Sequence, residues 1–189
     1  MRIGLVMGLH GGPAGGEREA PRWGGIRERA REAERIGFDL VVLEDALLCR
    51  DEDETVGYWE SSTMTAAVAA STEHIGIGHS VINAVYRSPA LVAKLAETLD
   101  EISGGRYVLG IGRGNVPDLD YSVDPLERFS DQASFSGSPA QIAERLLAFA
   151  DLGFGEVRVN LHHPRGELSA VLAEAIPAMD EVVTLLHRA

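Results

Sequence analysis

The stretch from Ile75 to Asn115 most constrains what this chain can fold into. It reads Ile-Gly-Ile-Gly-His-Ser-Val-Ile-Asn, then a helical pattern led by Pro89, then Ser-Gly-Gly-Arg, then Tyr-Val-Leu-Gly-Ile-Gly-Arg-Gly-Asn. Two short apolar runs that flank a helix and end in small or polar residues have the form of a βαβ unit. Pro89 suits a first helical turn, Leu91, Leu95, Leu99 and Ile102 recur on one helical face, and Ser103-Gly104-Gly105 ends the pattern. A right-handed crossover makes the two strands parallel and brings Ser80–Asn83 and Gly112–Asn115 to one edge of the sheet. Parallel α/β folds place their chemistry on that edge.

Two readings of that edge stay open. Glycines at 110, 112 and 114 can bare the backbone to a ligand beside the fixed cation of Arg113, and a phosphate is the natural guest. The same glycines can instead relieve crowding in a sheet wall, with Arg113 a solvated charge.

The rest of the chain repeats the alternation. Arg2–Leu9 reads as a first strand buried on both faces, followed by His10 and a Gly/Pro-rich loop. A helix over Gly25–Ile36 leads to a strand at Leu40–Leu43, with Glu44 and Asp45 at its end. Trp59–Ser71 reads as a small-residue helix with Met64, Ala67 and Val68 turned to the sheet, and the acidic stretch Arg50–Glu54 as a solvated loop. Residues 116–137 carry five acidic groups and two prolines without sustained periodicity, long for a plain connection. Ser138 then caps a helix over Pro139–Leu152 with Ile142, Leu146, Leu147 and Ala150 inward, Val157–Asn160 forms a strand, and Ser169–His187 a last helix.

Several of these segments carry a resemblance. Gly37-Phe38-Asp39 before a strand ending in Glu44, the segment Gly78-His79-Ser80-Val81-Ile82, and Leu99-Asp100-Glu101-Ile102-Ser103-Gly104-Gly105-Arg106 leading into Gly110-Ile111-Gly112-Arg113-Gly114 resemble the bacterial luciferase-like superfamily of flavin-dependent oxidoreductases. The resemblance implies a (β/α)₈ barrel that binds FMN or the deazaflavin F420 at the strand carboxyl ends. It covers the first two-thirds of the chain well and the last third more weakly, where Gly-Ser-Pro-Ala-Gln-Ile-Ala-Glu-Arg resembles the start of the closing barrel unit.

A single domain over residues 1–189 follows, divided into strands one to four (1–115), an irregular loop (116–137) and a closing helix-strand-helix (138–189). The fold class is α/β: an incomplete TIM-type (β/α) barrel, a mostly parallel sheet of about five strands with flanking helices. Five strands cannot close an eight-stranded barrel, so an open edge remains, which the acidic loop or a second subunit must cover. The expectation is a homodimer.

Carried over residue by residue, the resemblance implies that Ser80-Val81 matches a non-prolyl cis peptide backing the flavin ring. It also implies that Arg113, with Gly112, Gly114 and Asn115, matches the phosphate-holding strand end. Glu44 stands where the luciferases read Glu-His-His, but this chain continues Asp45-Ala46, so that motif's histidine is absent. His10 and His79 remain as proton donors near a ring, or as histidines satisfied within the wall. Glu44 can bond at the barrel mouth or simply be solvated, and Asn83 can bond a ring carbonyl or close a turn. His162 and His163 point opposite ways on an extended segment and lack accompanying ligands, so no metal site is expected.

Function is then expected to be a luciferase-like oxidoreductase or monooxygenase acting on a small organic substrate. In it, reduced FMN would activate oxygen or F420 would exchange hydride. The alternative is a non-catalytic flavin-binding or structural paralogue that dimerises through the open edge. A net charge of −12 argues against nucleic acid or an anionic membrane as partner. The lone Cys49 fits a reducing compartment, no apolar run reaches membrane length and the first residues lack a signal-peptide core, so a cytoplasmic location is expected.

Overall fold

The structure is a computed structural model that describes residues 1–10, 20–50, 55–112, 137–161 and 171–188. The elements in chain order begin with β1 (Arg2–Met7), α1 (Trp23–Ile36), β2 (Leu40–Leu43), β3 (Leu48–Arg50), β4 (Thr55–Gly57) and α2 (Ser61–Ala69). They continue with β5 (Gly76–His79), β6 (Ile82–Asn83), α3 (Pro89–Ser103), β7 (Tyr107–Val108) and β8 (Ile111–Gly112), and end with α4 (Pro139–Asp151), β9 (Glu156–Asn160) and α5 (Ile176–Arg188). Among the described residues, no helix is long and apolar enough to cross a membrane.

Five parallel strands form one sheet in the order β7-β5-β2-β1-β9. This is the expected set of four leading strands plus a closing one. Leu5 pairs with Val41 on one side and Val159 on the other, so β1 is an interior strand beside the central β2, and β7 and β9 are the edges.

Side-chain alternation gives the sheet two different faces. Ile3, Leu5, Met7 and Leu9, with Val41, Leu43 and Ile77, form a single core with Ile26, Ala30 and Ala33 of α1, Val68 of α2, Leu146 of α4 and Ile176, Val182 and Leu186 of α5. The intervening positions Gly4, Val6, Leu40, Val42 and Gly78 belong to the other face, where Leu40 and Val42 are fully buried outside that cluster and Val6 is half-buried. A sheet with its helix-packed core on one face has the arrangement of a barrel wall.

Local signals explain the helix ends. Ser88 and Ser138 accept backbone N–H bonds from Leu91 and Gln141, each with proline in the first turn, and Gln141 completes a capping box. Gly37 and Gly104 close α1 and α3 with φ of 92° and 67°, where a side chain would be strained.

The helix faces need correction, and a hairpin is added. Leu48–Arg50 and Thr55–Gly57 pair as an antiparallel hairpin that includes Arg50, the first residue of the expected acidic loop, whereas residues 51–54 lie outside the described residues. In α3 the buried stripe is Val92, Leu99 and Ser103, while Leu91 and Ile102 are exposed. The helix lies at the open edge beside β7, so one flank of its apolar face has no described neighbour. In α2 the buried residues are Ser61, Thr65, Val68 and Ala69; Val68 faces the core as expected, Met64 packs against it only in part, and Met64 and Ala67 also line an outer cleft with Trp23 and Trp59. In α4 Ala143 joins Leu146 as the buried pair, while Ile142 and Leu147 pack against the same core partly covered, in line with the expected face.

Candidate functional site

The carboxyl ends of β1, β2 and β5 lie side by side. On the face opposite the helix-packed core they lead into Gly8 and His10 after β1, Glu44 after β2 and Ser80 after β5. His10 is buried, its ring stacked on Tyr58 with centroids 4.3 Å apart, and its Nε2 lies 3.9 Å from Glu44 Oε2. The Trp59 N–H donates to the Leu9 carbonyl at 3.1 Å, which ties the start of α2 to the end of β1. A Cβ added at Gly8 would be in ordinary contact with Glu44 Oε2 at 3.7 Å and His10 Cδ2 at 4.0 Å, so both side chains lie against this backbone. Deeper on the same face Leu40 and Val42 are fully buried, whereas Val6, Gly8, Glu44 and Ser80 are half-buried. The face is therefore closed below and open at the carboxyl rim.

The Ser80–Val81 peptide bond is cis, at the position the resemblance implied. It separates β5 from β6, and the neighbouring chain steps with it: Ile77 pairs with Tyr107 before the bond and Ile82 with Ile111 after it. Both segments thus end on the same edge.

The glycines of this rim serve packing. A Cβ on Gly110 would stand 2.1 Å from the His79 carbonyl oxygen, and one on Gly112 would stand 2.7 Å from Val81 Cγ2. Chain, not ligand, fills the room at 110 and 112, which favours the crowding reading of those two positions. Arg113, Gly114 and Asn115 lie outside the described residues, as do His162 and His163. Among the described residues no cluster of three or more His, Cys, Asp or Glu could hold a metal.

His79 does not join His10. It points to the helix side, where Nε2 lies 3.1 Å from Thr65 Oγ1 and Nδ1 lies 2.7 Å from the Tyr107 hydroxyl. Thr65 donates its own proton to the Ser61 carbonyl, so the arrangement assigns Tyr107 O–H to Nδ1 and Nε2–H to Thr65. Burial, opposed by Asp45 and reinforced by Arg87, pushes the His79 pKa down to about 4, and burial pushes Tyr107 up to about 12. Both stay neutral across the physiological range. His79 is held as a buried histidine on the helix side of the sheet by Thr65 and Tyr107.

Asn83 Oδ1 accepts the Val85 N–H at 2.9 Å, so its side chain closes the short 3₁₀ turn Ala84–Tyr86. Its backbone N–H donates to Asp45 Oδ2 at 2.7 Å. Asp45, almost wholly buried, is gripped through both oxygens by the Arg87 guanidinium, which also donates to Glu60 Oε1 at 3.0 Å. Glu60 caps α2 by accepting from Ser62 N and Thr63 N at 3.2 and 2.6 Å. Burial raises its pKa, but the bonds from Thr63, Arg87 and Ser62 outweigh that and hold it at about 2.

Motifs along the chain single out Asn83 but not Arg87 or Glu60. One signal was available: Arg87 is the sole Lys or Arg between Arg50 and Lys94, so any buried carboxylate nearby must look to it.

The profile of the luciferase-like monooxygenases matches residues 1–119, well over half of the chain. The chain belongs to the luciferase-like monooxygenase family. Within it, the chain is 40% identical over 89 residues to a dibenzothiophene-sulfone monooxygenase of Rhodococcus erythropolis, covering 41% of this chain and 19% of that protein. It is 34% identical over 102 residues to an F420-dependent glucose-6-phosphate dehydrogenase of Amycolatopsis mediterranei, covering 53% of this chain and 30% of that one. The luciferase-like chain thus spans less than a third of the length of these relatives. Its fold is similar to that of a riboflavin lyase solved with modified FMN and riboflavin, at a TM-score of 0.55, 17% identity, and coverage of 80% of this chain and 36% of that one. An F420-dependent secondary alcohol dehydrogenase with an F420-acetone adduct gives a TM-score of 0.51 at 20% identity, with coverage of 74% and 37%.

Proposed function

We propose that this chain binds an FMN- or F420-type ring at the carboxyl rim and acts as a flavin-dependent oxidoreductase or monooxygenase on a small organic substrate. The observation that carries this reading is that His10, Glu44 and Ser80 share one sheet face at the strand carboxyl ends, where Gly8, Glu44 and Ser80 are half-buried. Family membership supports it, and two structures of similar fold hold FMN or F420. The residues fit such a ring: its edge can take hydrogen bonds from Ser80 and neighbouring backbone, and Gly8 puts no side chain of its own before its plane. When bound, the ring would supply the redox chemistry.

The chain's own residues then have separable tasks. His10 holds or delivers a proton at Nε2, oriented by Tyr58 and by the Glu44 carboxylate 3.9 Å away. Ser80 and Val81 form the wall beside the ring. Arg113, which follows β8 directly in the chain, keeps its proposed role as phosphate partner alongside Gly114 and Asn115, with Gly112 packed on Val81. Its fork favours FMN over F420.

The test is titration of purified protein with FMN and F420, read by cofactor fluorescence and absorbance. Binding of either supports the reading; a colourless protein that takes up neither removes it. Arg113→Ala should weaken FMN by about 1.5–3 kcal/mol per lost charge-assisted bond.

The second reading is a non-catalytic ring-binding or structural paralogue that forms a homodimer. Two open edges favour it: β7 and β9 each lack a described partner strand on one side, and Val108 and Ile111 near one edge are 38% and 55% exposed. Turnover with NADH, a flavin reductase and oxygen separates the enzyme from the binder. Light scattering at micromolar concentration tests the dimer, and a monomeric mass removes it.

A further inference from the structure

The ion triad of Asp45, Arg87 and Glu60, in which Asp45 is buried, Arg87 half-buried and Glu60 exposed, touches neither His10 nor Gly8 among its described bonds. Burying charge is costly, and an ion pair of this kind often stabilises a fold no better than apolar residues would. The connections it makes are more informative. Asp45 ends the β2 segment, Glu60 starts α2, Arg87 stands two residues before α3, and Asn83 closes the strand after the Ser80–Val81 bond. The Asp45 carboxylate binds the Arg87 fork on one side and the Asn83 N–H on the other. Four chain segments therefore converge on one carboxylate and one guanidinium.

Two of the residues so fixed adjoin the open rim. Asp45 is the immediate neighbour of Glu44, and adjacent residues in extended chain point to opposite sides, so anchoring Asp45 inward sets Glu44 outward. Asn83 is two residues beyond Val81, so anchoring its N–H sets the height of the Ser80–Val81 wall relative to β2. The Ser80 N–H donation to the Leu43 carbonyl at 3.0 Å is the other tie between these segments.

We propose that Arg87 is a positioning residue for the ring site, holding Glu44 and the Ser80–Asn83 wall in register through Asp45 without touching the ring itself. This rests on the reading of the rim as a ring site. A guanidinium serves the purpose because its planar fork fixes both carboxylate oxygens of Asp45 while a remaining N–H reaches Glu60. A lysine keeps the charge but loses the fixed angle.

The experiment titrates wild type, Arg87→Gln, Arg87→Lys and Asp45→Asn with FMN, riboflavin and F420. It reads dissociation constants, the visible circular dichroism of the bound ring and amide exchange at Asn83. Arg87→Gln should weaken FMN and riboflavin by the same factor, about ten-fold or more, because the effect acts on the ring wall and not the phosphate. The bound-ring dichroism should change, the Asn83 amide should exchange faster, and Arg87→Lys should recover only part of each. Asp45→Asn keeps the side-chain volume and should reproduce the pattern if Arg87→Gln does not fold. A folded Arg87→Gln with wild-type affinity, dichroism and Asn83 protection overturns the proposal. So does a loss confined to FMN, which would place Arg87 at the phosphate. Wild type that binds none of the three ligands removes the ring-site reading, and this inference with it.

Discussion

His79 Nδ1 lies 2.7 Å from the Tyr107 hydroxyl, on the face of the sheet opposite His10. Two histidines that look equivalent along the chain are thereby divided between the core and the rim, and the division leads to different measurable behaviour.

For His79 the behaviour is a pH-dependent stability. The folded imidazole has its pKa pushed down to about 4, chiefly by burial, while in the unfolded chain it titrates near its ordinary value of 6.5. Its contribution is fully present above pH 6.5. As pH falls from there toward 4 the unfolded chain takes up a proton that the folded chain refuses, and stability drops by on the order of 3 kcal/mol. Urea unfolding between pH 7.5 and 4 should show a shallower pH slope for His79→Gln than for wild type. Equal slopes would mean His79 does not titrate in this way.

His10 should instead affect turnover. His10→Gln keeps a polar side chain but loses proton transfer, and kcat should fall about 100-fold or more while ring affinity changes little. Steady-state kinetics beside a ring titration checks this, and an undiminished kcat removes His10 from the chemistry.

Gly110 and Gly104 should differ sharply when replaced by alanine. At Gly110 the new methyl meets the His79 carbonyl at 2.1 Å, a backbone atom that cannot swing aside, and the cost should reach about 3 kcal/mol or local loss of the β6–β8 pairing. At Gly104 nothing lies within 4 Å and only the φ of 67° opposes the substitution, so about 1 kcal/mol is expected. Denaturation midpoints compare the two, and similar losses would contradict the packing account.

Arg106 should prove a structural cation. Its guanidinium donates to the carbonyls of Ala69, Thr72, Ile75 and Ser103 and to Thr72 Oγ1, over 2.7–3.1 Å, joining the end of α2, the turn before β5 and the end of α3. Arg106→Ala leaves those acceptors unpaired and should cost about 3 kcal/mol in chemical unfolding. Arg106→Lys, with one nitrogen for five bonds, should recover less than half. Full recovery would show that charge alone is needed.

The sequence by itself determined the parallel α/β wall. Apolar runs at Arg2–Met7, Leu40–Leu43 and Gly76–His79, punctuated by Ser88, Pro89, Gly104 and Ser138, are local signals whose caps and periods hold whatever the neighbours are. The closing strand at Val157–Asn160 was legible for the same reason, as was the rim position of His10 and Glu44 at strand ends. Tertiary structure alone decided which side of α3 is buried, that Val81 fills the space beside Gly112, that His79 turns to the helices, and that Arg87 finds Asp45 across 42 positions. Periodicity fixes a helix but not which flank meets a neighbour, and a buried charge is satisfied by whichever opposite charge the fold brings within bonding distance.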